Sequence, residues 1–502
     1  MRAVPATGFG LVAIVVGCVI VAGCSGGAMN AASVATSTGT GAAQTAAGRS
    51  ITTSAATSAA SPAPNQSGDS PPLATTSATT YGLTCSPAQV VSAGGYSSCN
   101  IQWLAHISLA GGETIGGHYV AANKTYYVTN WESGEYAFDT TNPEHPVLAG
   151  RLAVSIGNVP AGALISAVEN EDTATNGKIV ILSRTQMNDS VVLDVHDPKN
   201  MSILATVPGG PGHTQNCLDD CRWDYGSSTG TIIDLRDPAK PVLQSNKWSD
   251  VTGGVMAHDL TEIRPGLVAT ASDPVSFLDT TDPAHPKKLF SLPRTAVEPT
   301  PTGVGPAQSG HIGHSVAWPR QGKDRFFLGQ SEGAYMGRCE RFPNDGRTLY
   351  GYDTTGWQSA LNFKLVGAYT MVMGNAAPGT GGIEGVDANG NPSTAVVGAP
   401  EGCSTHWFDV HRTFNNGGLV AMSAFAFGVR LLNVAANGQI QQIGWYVPSG
   451  MADTVGVHWI SDRVMYVLDF ETGGMDVIKY TGPLPAAGPV PVCQRRRCDD
   501  ER

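Results

Sequence analysis

The chain has 502 residues, a formal charge of −11 and only 14% charged positions, well below the roughly 25% of an ordinary soluble domain. It lacks the basic footprint that nucleic-acid phosphates demand, which excludes that class of partner. Gly (61) and Pro (32) are plentiful but fall short of the level that marks collagen or wholesale disorder.

Arg2 is the single charge ahead of an apolar run from Phe9 to Ala22. The run is too short for a spanning helix, which needs about 20 residues, and suits the core of a signal peptide. It ends in Val21-Ala22-Gly23-Cys24-Ser25, which resembles the lipobox of bacterial lipoprotein signal peptides. That resemblance implies removal of residues 1–23 and acylation (palmitate and its like) of Cys24. It also implies a lipid anchor on the extracytoplasmic side of the cell membrane, since several acyl chains hold where one is marginal. Through residue 80 the composition turns to Ala, Ser, Thr, Gly and Pro, with Arg49 and Asp69 as the only charges. Such a stretch buries too little to offset chain entropy, so residues 24–80 read as a disordered tether. Its Ser/Thr/Pro content resembles O-glycosylated stalks.

Residues 81–482 carry short β-rich runs with a recurring mark: a strand ending in Asp, a turn at Asp/Asn-Pro, then another apolar strand. The mark reads Tyr136-Ala-Phe-Asp139-Thr-Thr-Asn-Pro143, then Val191-Val-Leu-Asp194-Val-His-Asp-Pro198, Ile232-Ile-Asp234-Leu-Arg-Asp-Pro238 and Phe277-Leu-Asp279-Thr-Thr-Asp-Pro283. Weaker copies centre on Asp353, Asn433 and Asp476. Asp and Asn side chains bond to the backbone two residues on, and Pro fixes φ, so each mark joins two antiparallel strands. Two further strands precede each mark, as in His258–Ile263 and Leu267–Ala271. Four strands per unit, seven times over, predict an all-β, seven-bladed β-propeller. The seventh unit has three strands before Tyr480, and the alternating segment Ile101–Leu109 is free to supply the fourth. Pairing the two ends closes the ring and removes its open edges. Residues 483–502 form a tail rich in Pro, Cys and Arg.

The run of apolar strand, Asp, and Asp/Asn-Pro-x-x-Pro-Val-Leu resembles the LVIVD-repeat proteins, bacterial propellers that are often secreted. The resemblance spans roughly residues 101 to 480 and concerns architecture, because propellers host many unrelated tasks. The fifth to seventh copies lack the double-Pro turn, and Asn433 replaces Asp.

Six units begin their innermost strand with histidine: His118, His213, His258, His314, His406 and His458. The second breaks the series, its first strand being read as Ala163–Glu169. Innermost strands line a propeller's channel, and imidazole ligates copper, iron, zinc or nickel, so a transition-metal site is one reading. The copper-dependent methanethiol oxidases, or selenium-binding proteins, are similar propellers in fold and in their general use of histidine. A structural role carries more weight: His118, His213 and His314 follow glycine, much like the Gly-His pair of WD40 repeats. A polar small-molecule site is the third reading. His311 and His411 are adjacent extras, while His145, His196 and His285 fall in turns. Glu169-Asn-Glu171-Asp172 reads as an exposed loop after the strand, with cation binding as its alternative.

No catalytic motif is recognisable: there is no nucleophile elbow, phosphate loop or His-Glu-x-x-His. Trp131, Trp223, Trp357, Trp407 and Trp459 either stack on sugars or wedge between blades. With Cys18 in the leader and Cys24 acylated, eight cysteines remain, an even set that suits disulfides in an exported chain. Loop topology favours Cys339 with Cys403, and proximity favours Cys217–Cys221, Cys85–Cys99 and Cys493–Cys498. The face bearing the insertion at 371–402 is the expected binding face. The sequence therefore describes a surface-anchored lipoprotein whose propeller binds an unknown protein, glycan or small molecule in the cell envelope. A copper- or iron-dependent oxidoreductase using the histidine channel is the alternative, and cell-wall glycan binding a second one.

Overall fold

The computed structural model describes residues 89–90, 95–109, 114–131, 133–154, 169–292, 313–330, 332, 348–356, 363–371, 404–448, 453–470 and 473–484. The leader, Cys24, the tether and the tail beyond 484 lie outside these residues, as do Cys85, Cys339, Cys403, Cys493, Cys498, His311, Trp357 and the insertion after Met371.

Seven antiparallel sheets follow one another along the chain, each of the first six meandering in sequence order from its innermost to its outermost strand. Blades 1 to 6 occupy residues 114–152, 169–208, 215–243, 259–291, 315–370 and 408–447, and blade 7 starts at 454. Its fourth strand is Ile101–Ser108, paired antiparallel to Gly474–Tyr480. The chain is thus a seven-bladed β-propeller closed by its N-terminal strand.

Period-2 geometry explains why the middle strands read as unbroken apolar runs. Successive side chains point to opposite faces of a sheet, and each face of a blade packs on a different neighbour. Val180 and Leu182 join Tyr127 and Ala137 of blade 1, whereas Ile179 and Ile181 join Ile233 and Leu235 of blade 3. Five more such cores join blades 3 and 4, 4 and 5, 5 and 6, 6 and 7, and 7 and 1. Burial on both faces stabilises the ring by roughly 25 cal/mol per Å² of apolar surface removed from water.

The recurring Asp works as the sequence implies. The carboxylates of Asp139, Asp194, Asp234, Asp279 and Asp353 each accept a hydrogen bond from the backbone N–H two residues on, at 2.8–3.1 Å. Asn433 and Asp476 instead lie within their strands, Gly428–Val434 and Gly474–Tyr480. Asp476 fastens the closing strand: it accepts from Trp103 Nε1 (3.1 Å) and Tyr446 Oη (2.8 Å) and meets His106 Nδ1 at 3.0 Å. Blade 6 is widened to six strands, because Tyr96–Ser97 pairs with its outermost strand and Gln89–Val90 pairs with Tyr96–Ser97.

Candidate metal centre

Four of the six histidines occupy one equivalent position. His213, His258, His314 and His406 stand one or two residues ahead of the inner strands of blades 3 to 6, which start at Gln215, Asp259, Ser315 and Phe408. Each backbone N–H donates to a carbonyl at the end of the second strand: Ser227, Ala271, Gln330 and Ser423, at 2.9–3.3 Å. The same entry geometry, repeated around a closed ring, directs four imidazoles to the hub.

His118 and His458 do not join them. Both are fifth residues of their strands, Thr114–Val120 and Thr454–Trp459, so they sit further along the channel wall. His458 Nδ1 shares a 2.7 Å hydrogen bond with Tyr126 Oη, and His118 Nδ1 lies 3.7 Å from Asp172 Oδ1. The six histidines thus divide into a set of four and a separate pair. A shared residue type did not mean a shared register.

Blade 2 supplies what its missing histidine leaves out. Its inner strand is Glu169–Thr175, so the acidic run is not a loop after the strand but the strand itself. Pairing with the second strand jumps from Glu169↔Ser183 to Ala174↔Ile181, leaving four residues against one. Such a bulge re-aims side chains, and here it carries Glu171 to the four imidazoles. Glu171 Oε1 is 2.9 Å from His213 Nε2, while Oε2 is 3.6, 3.5 and 3.1 Å from Nε2 of His258, His314 and His406. His213 Nε2 and His258 Nε2 are 2.9 Å apart.

The bulge is held from both sides. Asn170 Nδ2 donates to the Ile181 carbonyl (2.8 Å), and its Oδ1 accepts from the Gln215 N–H of blade 3 (3.0 Å). On the blade 1 side a Cβ on Gly116 would stand 2.0 Å from the Asn170 carbonyl oxygen. Only glycine lets the two inner strands approach this closely. His406 Nδ1 donates to the Val455 carbonyl at 2.6 Å, which leaves Nε2 turned to Glu171, the arrangement that fixes a metal-binding tautomer. Trp407 packs on the cluster, its ring 5.1 Å from that of His314.

Charge is distributed unevenly across the group. Burial works to raise the Glu171 carboxyl, but His213, His406 and His258 together hold it well below its usual 4.5. Burial presses His258 well below 6.5, with His314 adding to the shift, and presses His314 to about 4, with His406 adding to it. For His406 burial is overcome by Glu171, which raises it. The hub therefore holds a carboxylate beside the neutral imidazoles of His258 and His314, the protonation state that metal ligation requires, while Glu171 favours the charged form of His406.

The residues fit an ion. Donors bonded at about 2.1 Å to one centre lie about 3.0 Å apart around an octahedron and about 3.4 Å apart around a tetrahedron. The Glu171–imidazole separations, 2.9–3.6 Å, bracket those values. Among the described residues, Nδ1 of His258 and both ring nitrogens of His314 have no hydrogen-bond partner, although His314 is fully buried and the His258 side chain is only 9% exposed. Unpartnered buried polar atoms are rare and call for an explanation. A structural histidine that ties strands together would have both nitrogens engaged, as His411 does with Thr413 Oγ1 (2.8 Å) and the Asp462 carbonyl (3.2 Å).

Glu171, Trp407 and the nearby Glu332 were not among the histidine positions marked by the repeat. The available signal was indirect: the one unit without histidine carries acids at the corresponding place. Trp223, Trp407 and Trp459 are buried, and Trp131 packs 5.0 Å from Phe470, which takes the first three out of reach of a sugar. His196 and His285 stand in exposed turns. Cys217 and Cys221 are bonded to each other, and Cys99 is disulfide-bonded.

No protein-family model matches the chain, and no curated protein does. Among solved structures it is similar to the β-propeller domain of Myceliophteria thermophila Cps50 (Swd1), at 10% identity and a TM-score of 0.43, over 74% of this chain and 98% of that one.

Proposed function

We propose that the protein is a lipid-anchored, extracytoplasmic propeller of the LVIVD-repeat kind whose hub binds a transition-metal ion. The ligands are Nε2 of His213, His258, His314 and His406 and the carboxylate of Glu171. One observation carries the reading: four imidazoles from four blades surround a single, nearly buried carboxylate at 2.9–3.6 Å, with the ring nitrogens of His314 unpartnered among the described residues. A nitrogen-rich set without thiolate suits iron or copper, and such an ion supplies one-electron chemistry. The chain's part is to fix the imidazoles on rigid strand ends and to exclude water with Trp407. The lipobox at Cys24 supports the location outside the membrane.

The test is metal analysis of the full-length protein, purified from bacterial envelopes without chelators. Stoichiometric iron or copper is expected, and His314→Ala and His406→Ala should each abolish it. Metal-free protein that also fails to take up either ion on incubation would sink the reading.

A second role, docking of an envelope protein at the rim, is favoured by exposed apolar side chains on the outer strands of four consecutive blades. Val147 and Leu148, Ile203, Val242 and Leu289 are 47–64% exposed. Crosslinking from these positions in cells checks it; failure to capture a defined partner counts against it.

A further inference from the structure

Glu332 stands two residues beyond the second strand of blade 5, Phe326–Gln330. It is partly exposed and brings Oε2 to 3.8 Å from His314 Nε2. Ligand atoms of His314, Glu332 and His406 lie within 4.8 Å of one another, as do those of Glu171, His258 and His314. His314 belongs to both triads, is fully buried, and has both ring nitrogens unpartnered among the described residues.

We propose that Glu332 is the sixth ligand of the hub ion. It completes a set of four nitrogens and two oxygens that selects ions favouring six-coordination, such as iron(II) or manganese(II), over copper(I) and zinc. This inference rests on the reading that the hub binds an ion.

Two arguments lead there. The first is charge. A divalent ion with neutral imidazoles and Glu171 alone leaves one uncompensated positive charge in a buried hub, where an unpaired charge is strongly disfavoured. A second carboxylate makes the centre neutral. The second is reach. Neighbouring donors of an octahedral centre lie about 3.0 Å apart and opposite donors about 4.2 Å. Glu171 already meets the neighbouring spacing toward His213 and His406, at 2.9 and 3.1 Å. Glu332 needs to close by less than about 1 Å, and its side chain lies nearer the solvent, 29% exposed against 10% for Glu171. It would be the last ligand to bind and the first to leave, so the solvent-side position it occupies is the one an incoming molecule can take.

Cobalt(II) distinguishes the outcomes, because its visible absorption is weak when six-coordinate and intense when four-coordinate. Full-length protein freed of metal is titrated with Co²⁺, with binding followed by quenching of tryptophan fluorescence. Weak absorption is expected for the native protein. Glu332→Gln should intensify the spectrum and weaken Co²⁺ binding by about 10- to 100-fold, while Glu332→Asp restores part of both. Intense absorption by the native protein, or a Glu332→Gln variant with unchanged spectrum and affinity, overturns the role of Glu332 and leaves the hub ion standing. Failure of the native protein to bind Co²⁺ at all overturns the hub reading and this inference with it.

Discussion

His196 at the rim and His406 at the hub each face a carboxylate, at 2.5 Å from Asp194 and 3.1 Å from Glu171. The rim pair is local, two residues apart within one turn, and the His196 side chain is 70% exposed. Solvent and salt screen such a pair, so it contributes little. The hub contact joins blades 2 and 6 across the channel, where His406 is 4% exposed and Glu171 10%. There the same two chemical groups, imidazole and carboxylate, set each other's charge. Convergence from separate blades into a dry site turns a common surface contact into a candidate centre; residue identity alone does not.

Substituting the central carboxylate should separate the two regions most sharply. Glu171→Ala is expected to abolish metal uptake and to destabilise the metal-free protein by about 3–5 kcal/mol, the effect of removing one partner from a buried pair. The sign depends on pH. The depressed Glu171 contributes stability above its usual 4.5, lost as pH falls through its folded value. The raised His406 contributes below its usual 6.5, lost as pH rises through its folded value. Urea unfolding should therefore show the largest difference between about pH 4.5 and 6.5; a difference that is flat across pH would break the pairing.

A smaller effect concerns the channel wall. Burial presses His458 down to about 4, so the folded protein refuses a proton that the unfolded chain accepts below 6.5. Stability is full above pH 6.5 and falls as pH drops toward 4, by on the order of 3 kcal/mol at most. His458→Gln should flatten that slope, and an unchanged slope would show the residue to be open to water. Least of all is expected at the rim, where His196→Ala should leave both Tm and metal content as they were. A clear loss of either would remove the contrast between rim and hub.

The propeller was legible because each repeat states its own turn chemistry. Asp139, Asp194, Asp234 and Asp279 bond two residues on, and that local rule needs no knowledge of the rest of the chain. Closure was legible for a similar reason: the last unit lacks a strand, and Ile101–Ser108 has the alternation to supply it. The site was legible only in part. Six histidines stood out by position, yet His118 and His458 lie deeper in their strands, and a shift along a strand is invisible without its hydrogen-bond register.

By itself the amino-acid order determined the blades, their number and the strand that locks them, because these follow from side-chain periodicity and turns of a few residues. Only the tertiary structure decided that Glu171 belongs with His213, His258, His314 and His406. That grouping depends on a bulge of four residues against one and on a glycine that admits it. Such features acquire meaning only when blades distant in sequence are brought around a common axis.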